Sequence, residues 1–161
     1  MEILSINKNR LQAVLLFAAK QDVRYILKSV NLASADGIYR LNASCGHTMA
    51  TCIQANPLSF QFNVTIPREK IELALKAAPK TKLGIDVDLV NHTIEGIPFD
   101  PVEGNFPDVR RAWPEKMDGL PCKTQSQYIE RIEKAAKLLG QGNMGHSFWF
   151  DSRRKIGRAH V

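Results

Sequence analysis

One apolar stripe recurs three times along the chain. Leu11, Val14, Leu15 and Ala18 stand at the i, i+3, i+4 and i+7 positions that put four side chains on one face of a helix. Ile71, Ala74, Leu75 and Ala78 repeat the set 60 residues later, and Ile132, Ala135, Ala136 and Leu139 repeat it after another 61. Pro67 suits the first turn of the second helix, and Thr124 with Gln127 reads as a capping box for the third. Between the stripes lie runs of β-type composition at 3–6, 24–32, 38–43, 60–66, 83–87, 92–97 and 147–150. Asp36-Gly37 predicts a tight turn that makes a hairpin of 25–32 with 38–43. Val90-Asn91 predicts a second, weaker turn. The unit that repeats is strand, helix and several strands, roughly sixty residues long. Two such units make one domain and a third begins the next.

Composition narrows the class. The 161 residues are long enough for one full domain and part of another. Hydrophobic and charged fractions of 44% and 24% are ordinary for a globular protein. No apolar run reaches the roughly 18 residues of a membrane helix, and Met1-Glu2-Ile3-Leu4 lacks the basic start of a signal peptide. A cytoplasmic protein without membrane contact is the expectation. Cys45, Cys52 and Cys122 are odd in number and lack CxxC spacing, so reduced thiols are expected. With four scattered histidines they offer no paired metal ligands. The net charge of +6 favours a polyanionic partner, yet it is spread along the chain. The final residues, Ile156-Gly157-Arg158-Ala159-His160-Val161, look like a translated sequencing adapter, with a genuine basic C-terminal extension as the alternative, and no part in the fold is expected of them.

Three segments carry chemistry worth weighing. Gln21-Asp22-Val23-Arg24-Tyr25-Ile26-Leu27 reads on its own as a helix-to-strand connection whose Val23, Tyr25 and Leu27 alternate into a sheet. Ala43-Ser44-Cys45-Gly46-His47-Thr48-Met49-Ala50 holds a Gly-His pair that suggests a turn after a strand. Cys45 and His47, two apart, would share a face of a strand and so could form a nucleophile pair, but neither a third orienting group nor an oxyanion hole is in sight. Asn105-Phe106-Pro107-Asp108-Val109-Arg110-Arg111-Ala112-Trp113-Pro114 has the Phe-Pro-Asp start and proline stop of an inter-domain linker.

In this order and spacing the segments resemble the middle domain of the bacterial β sliding clamp, the processivity ring of DNA polymerase III. That family reads QDVRYYL, ATDGHRLA and FPDYRR, with a strand-to-helix junction that is here Ile66-Pro67-Arg68-Glu69-Lys70. The match covers about residues 1–114 and continues weakly to about 152. It implies an α+β protein of the DNA-clamp fold, with helices facing a DNA lumen and sheets outside. Residues 1–114 would be one complete domain, 115–155 the first half of a following domain, and 156–161 the non-native tail.

The function so implied is topological and non-catalytic, with no cofactor and no metal. A ring around double-stranded DNA, closed as a dimer or trimer, would tether DNA polymerase and clamp loader through short apolar peptides. Gln21 and Tyr25 would touch DNA, with Lys8, Arg10 and Lys20 of the first helix and Arg68 and Lys76 of the second supplying phosphate contacts. Lys70, Arg131, Lys134 and Lys137 extend that set. The partner-peptide pocket would use Arg24, Ile26, Leu27, Ser44, Gly46, His47, Thr48, Met49, Pro107, Arg111 and Ala112, with the remaining wall in the far half of the next domain. The family has Asp, Arg and Leu where this chain has Cys45, Thr48 and Met49, a second Tyr at Ile26, and Val at Ala112. Met1 would be either an internal codon or the start of a shortened clamp. Two rivals stand beside this reading: a clamp-derived module that closes no ring and competes for partner peptides, and a small basic enzyme using Cys45 and His47.

Overall fold

The stripes fold as their spacing dictates. Leu11, Val14, Leu15 and Ala18 are buried, as are Ile71, Ala74 and Ala78. The computed structural model describes residues 2–112, 125–140, 147–149 and 158–160. It divides the chain into two compact units, 1–107 and 108–161.

In the first unit the order is β1 (Ile3–Asn7), α1 (Lys8–Leu15), a short 3-10 helix (Tyr25–Lys28), β2 (Ser29–Ala35), β3 (Ile38–Ser44) and β4 (Met49–Ala55). The pattern then starts again with β5 (Asn63–Pro67), α2 (Arg68–Ala77), β6 (Gly84–Asp88), β7 (Thr93–Ile94) and β8 (Ile97–Pro98). Two antiparallel sheets result, ordered β1-β6-β7-β8 and β4-β3-β2-β5. Helix α1 lies on β1 to β4 and α2 on β5, β7 and β8. Leu4, Ile6, Leu11, Val30, Leu32, Leu41, Ile66, Ile71, Ile85, Val87 and Ile94 fill the core, each essentially without exposure.

The repeat is interlocked. Strand β1 opens the first half but pairs with β6 of the second, Asn7 opposite Gly84. Strand β5 opens the second half but pairs with β2 of the first, Pro67 opposite Ser29. The first cation of each helix then braces the end of the other. Arg68 Nη1 donates to the carbonyls of Leu15 and Ala18 at 2.9 and 2.8 Å, and its Nε donates to Glu72 at 2.8 Å. Lys8 Nζ donates to the Pro79 carbonyl at 3.1 Å. Positive charge at a helix C-terminus also meets the negative end of the helix dipole.

Several elements differ from the sequence expectation. Residues 25–28 form a 3-10 helix and not the start of the strand, because the Asp22 carboxylate takes the Arg24 N–H at 2.8 Å and bends the chain there. The turn at Asp36-Gly37 is present, both residues at positive φ of 54 and 75 degrees. The single strand expected over 92–97 is two, since Glu95 and Gly96 adopt φ of 49 and 73 degrees and reverse the chain as a second tight hairpin. The Val90-Asn91 turn forms around Asp88, whose carboxylate accepts from both backbone N–H groups. These bonds, led by Asn91, hold that carboxyl below its usual range. Strand 60–66 begins only at Asn63, and β4 was not anticipated at all. Pro67 is the N-cap of α2, one position ahead of the first turn, and supplies no side-chain cap.

The second unit holds α3 (Val109–Ala112), α4 (Ser126–Leu138) and a two-stranded ribbon of β9 (Ser147–Trp149) with β10 (Arg158–His160). Ile132, Ala135 and Ala136 are buried on α4, while Leu139 is half-buried. Gln125 is the N-cap of α4 and makes no cap bond; Thr124 of the expected capping box lies outside the described residues, as do Cys122, Pro114 and Phe150. Residues 158–160, expected to take no part in the fold, pair with 147–149. No helix among the described residues is long and apolar enough to cross a membrane.

The cross-brace makes a testable asymmetry. Arg68→Met leaves the Ala18 carbonyl without its side-chain donor and the Leu15 carbonyl with only the Ala18 N–H, and should cost about 2 kcal/mol in denaturant unfolding. Lys8→Met removes one exposed bond and should cost clearly less.

Candidate functional site

Chain reversal after α1 builds the first wall of the site. Ala19 N–H donates to the Leu27 carbonyl at 2.8 Å, so residues 19–27 close as one loop. Within it Asp22 holds Arg24 three ways: Oδ1 accepts from the backbone N–H at 2.8 Å and from Nε at 3.0 Å, and Oδ2 accepts from Nη2 at 3.0 Å. The Arg24 guanidinium and then its backbone N–H bring the Asp22 carboxyl down to about 2, and the carboxylate in turn raises Arg24. Leu27 is buried and Ile26 half-buried. On the outer side Val23 is 93% and Tyr25 72% exposed. Lys28 stands over the Tyr25 ring, 4.3 Å from its centroid. Gln21 and Lys20 are exposed beside them.

The second wall is the turn from β3 to β4. Cys45 N–H donates to the Thr48 carbonyl at 3.1 Å, and the Ser44 hydroxyl donates to the same carbonyl at 3.1 Å. Ser44 Oγ also accepts from Gly46 N–H at 3.1 Å. Gly46 sits at φ of 83 degrees, where a side chain is strained. A Cβ there would stand 2.9 Å from Arg24 Nη2 and 3.5 Å from Leu27 Cδ1. Glycine is thus favoured by the backbone, and a side chain there would also have to displace the end of Arg24. Ser44 and Thr48 are buried, Met49 is half-buried and His47 is exposed.

The structure therefore gathers Arg24, Leu27 and Gly46 at one place, with Ser44, Thr48 and Met49 along the adjoining turn and strand. Pro107 closes the first unit, exposed. Arg111 and Ala112 belong to α3 of the second unit; Arg111 is 90% exposed and lies 3.9 Å from Asp108. Of the expected cations, Arg10, Lys20 and Lys76 are exposed. Arg68 is not: its side chain is 14% exposed and its guanidinium is committed to α1 and Glu72. It is a brace, and the expected phosphate contact at Arg68 is corrected accordingly. Lys8 is partly committed to Pro79. In the second unit Lys134 and Lys137 are exposed and Arg131 lies 5.5 Å from the Tyr128 ring.

Cys45 and His47 occupy a turn and not one face of a strand, which removes the geometric ground for a nucleophile pair. Cys45 Sγ lies 3.2 Å from Thr48 Oγ1. Cys52 on β4 is a thiol, and burial pushes it up from its ordinary value. Sequence reasoning missed two residues of the site, Asp22 and Lys28. The signal was present in Asp-x-Arg spacing and in a cation three places after an exposed Tyr.

Two interlocked strand-helix-strand halves with this loop and turn define the DNA-clamp fold. In sequence the chain is 28% identical over 135 residues to the beta sliding clamp of Pseudomonas aeruginosa. That alignment takes in 79% of this chain and 37% of the relative, so the chain spans little more than a third of the relative's length. Solved structures agree. The DNA polymerase III subunit beta of Pseudomonas aeruginosa superposes with a TM-score of 0.59 at 27% identity, over 73% of this chain and 36% of that one. A second structure of the DNA polymerase sliding clamp from the same organism gives 0.57 at 27% identity, over 72% and 36%. No protein-family model matches the chain. In sequence and in fold the chain is similar to the bacterial β sliding clamp over about a third of that protein's length.

Two outcomes check this geometry. Gly46→Ala should cost about 1 kcal/mol in unfolding free energy from backbone strain alone, and more if Arg24 cannot yield. A carboxyl held low is charged in the fold above its unfolded value near 3.8 and loses its contribution as pH falls toward about 2. The Asp22 carboxyl carbon should therefore show its NMR titration near 2, leaving the Arg24 contact unchanged at neutral pH.

Proposed function

We propose that the chain is part of a sliding-clamp processivity factor, a non-catalytic ring subunit that surrounds double-stranded DNA and tethers a polymerase. What supports this most is the loop at residues 19–27. It presents Lys20, Gln21 and Tyr25, with Lys28, on its exposed side and packs Arg24 and Leu27 against the Gly46 turn. A DNA contact and one wall of a partner groove thus share a single short loop.

The DNA contacts are Arg10, Lys20 and Lys76 with Gln21 and Tyr25, aided by Lys8 where its bond to Pro79 allows. Exposed cations on helices and loops attract phosphate without reading bases, which is what a sliding ring requires. The partner groove is Arg24, Ile26, Leu27, Ser44, Gly46, His47, Thr48 and Met49 of the first unit. It takes a short apolar peptide of the polymerase or the clamp loader. About residues 1–114 correspond to one clamp domain and 115–155 to the start of the next. Self-association into a dimeric or trimeric ring, in the cytoplasm, completes the reading.

Binding to duplexes of unrelated sequence tests the DNA half. Affinities should agree within a few-fold, and log K should fall with log salt. Replacing Arg10, Lys20 and Lys76 together by Ala should flatten that slope by roughly three, about 0.9 for each lost phosphate contact. An unchanged slope, or a strong preference for one sequence, would sink the proposal.

A further inference from the structure

Asp22 is the one acidic side chain in the loop at residues 19–27, and the groove reading gives it no task. Its geometry does. Both carboxylate oxygens are spent on Arg24, one on Nε and one on Nη2, in the two-point grip that fits a carboxylate to a guanidinium. The side chain is itself only 15% exposed, whereas that of Arg24 is 60% exposed. The gripped Nη2 lies against Gly46, at 2.9 Å from the place a Cβ would take. No described residue accepts a hydrogen bond from Nη1. Arg24 therefore meets the groove with its direction fixed and its charge already answered.

We infer that Asp22 is a positioning residue that sets the charge preference of the partner groove. The inference rests on the peptide-groove reading above. Held flat over Gly46 and neutralised from within the loop, Arg24 offers a planar surface and two N–H groups to a peptide's carbonyls. It does not offer a net positive charge to a peptide's carboxylate. The groove so built gives an acidic peptide no advantage over a neutral one. Without Asp22 the same guanidinium would be an uncompensated cation at the groove wall, and acidic peptides would gain.

Two synthetic probes measure this by fluorescence anisotropy on the full chain: a neutral hexapeptide rich in Leu and Phe, and the same peptide carrying one added Asp. Wild-type protein should bind the two within about twofold, and Asp22→Asn should favour the acidic probe by about threefold or more, the scale of one exposed ion pair. Asn still offers an oxygen to the Arg24 N–H, so the loop keeps its bend. Should that variant not fold, Asp22→Ser keeps a shorter acceptor for the same N–H and carries the same expectation. Adding Arg24→Gln to either variant should abolish the new preference. A purely structural role would weaken both probes together and leave their ratio unchanged, and that result overturns the inference. Absence of binding by the wild-type protein to either probe removes the groove reading itself, and the inference with it.

Discussion

Neither half of the first unit can complete its sheet alone. Strand β1 belongs by sequence to α1 but by hydrogen bonding to β6, and β5 belongs to α2 but bonds to β2. Both are edge strands, so the strand that each pairs with comes from the other half, and an unpaired buried amide costs as much as a lost hydrogen bond. The exchange brings the helices into position for the next contact, in which Arg68 reaches the carbonyls at the end of α1. The Leu15 carbonyl is one that an α-helix cannot satisfy within itself, and the Ala18 carbonyl lies just beyond the helix end. The Ala18 carbonyl immediately precedes the loop that starts at Ala19, so the brace fixes the point from which the functional loop departs.

Inside the second sheet a line of polar side chains crosses all four strands. Thr51 Oγ1 donates to Asn42 Oδ1, Asn42 donates to Asn31 Oδ1, and Asn31 donates to Thr65 Oγ1 and Asn63 Oδ1. Asn31, Asn42 and Thr65 are buried. A slip of one residue in any strand would turn each of these onto the opposite face and leave buried amides unanswered. The ladder thus locks the register that places Ser44 opposite Met49, which in turn fixes the turn carrying Gly46.

How much of this was legible in the sequence follows from where the signals are local. The helix stripes were readable because burial on one face needs only a 3.6-residue period, and Asp36-Gly37 was readable because two left-handed residues are demanded at a tight hairpin. Strand β4 was hidden because it is an edge strand whose residues are mostly half-buried on both faces, so no alternation marks it. Residues 25–28 look like a strand because Tyr25, Ile26 and Leu27 suit one, yet the Asp22 carboxylate wins locally by capturing the Arg24 N–H. At the site, the resemblance carried the grouping of Arg24, Leu27 and Gly46, which spacing alone could not, for Gly46 stands 22 positions beyond Arg24. The role of Arg68 is a long-range contact across 50 and 53 residues, and nothing local distinguishes it from any other helix-face cation.

That last distinction bears on how charge is used. The first residue of α1 and of α2 is a cation, and both are drawn into the fold, Arg68 fully and Lys8 in part. The cations left for solvent stand further along the helices or in the loop, at Arg10, Lys20 and Lys76. Exposed lysines on flexible stems form weak, screened contacts with phosphate. A guanidinium anchored on two carbonyls would instead be a rigid fork, suited to one fixed geometry. Spending the anchored arginine on internal bracing and leaving mobile cations at the surface is the arrangement that the proposed sliding function calls for.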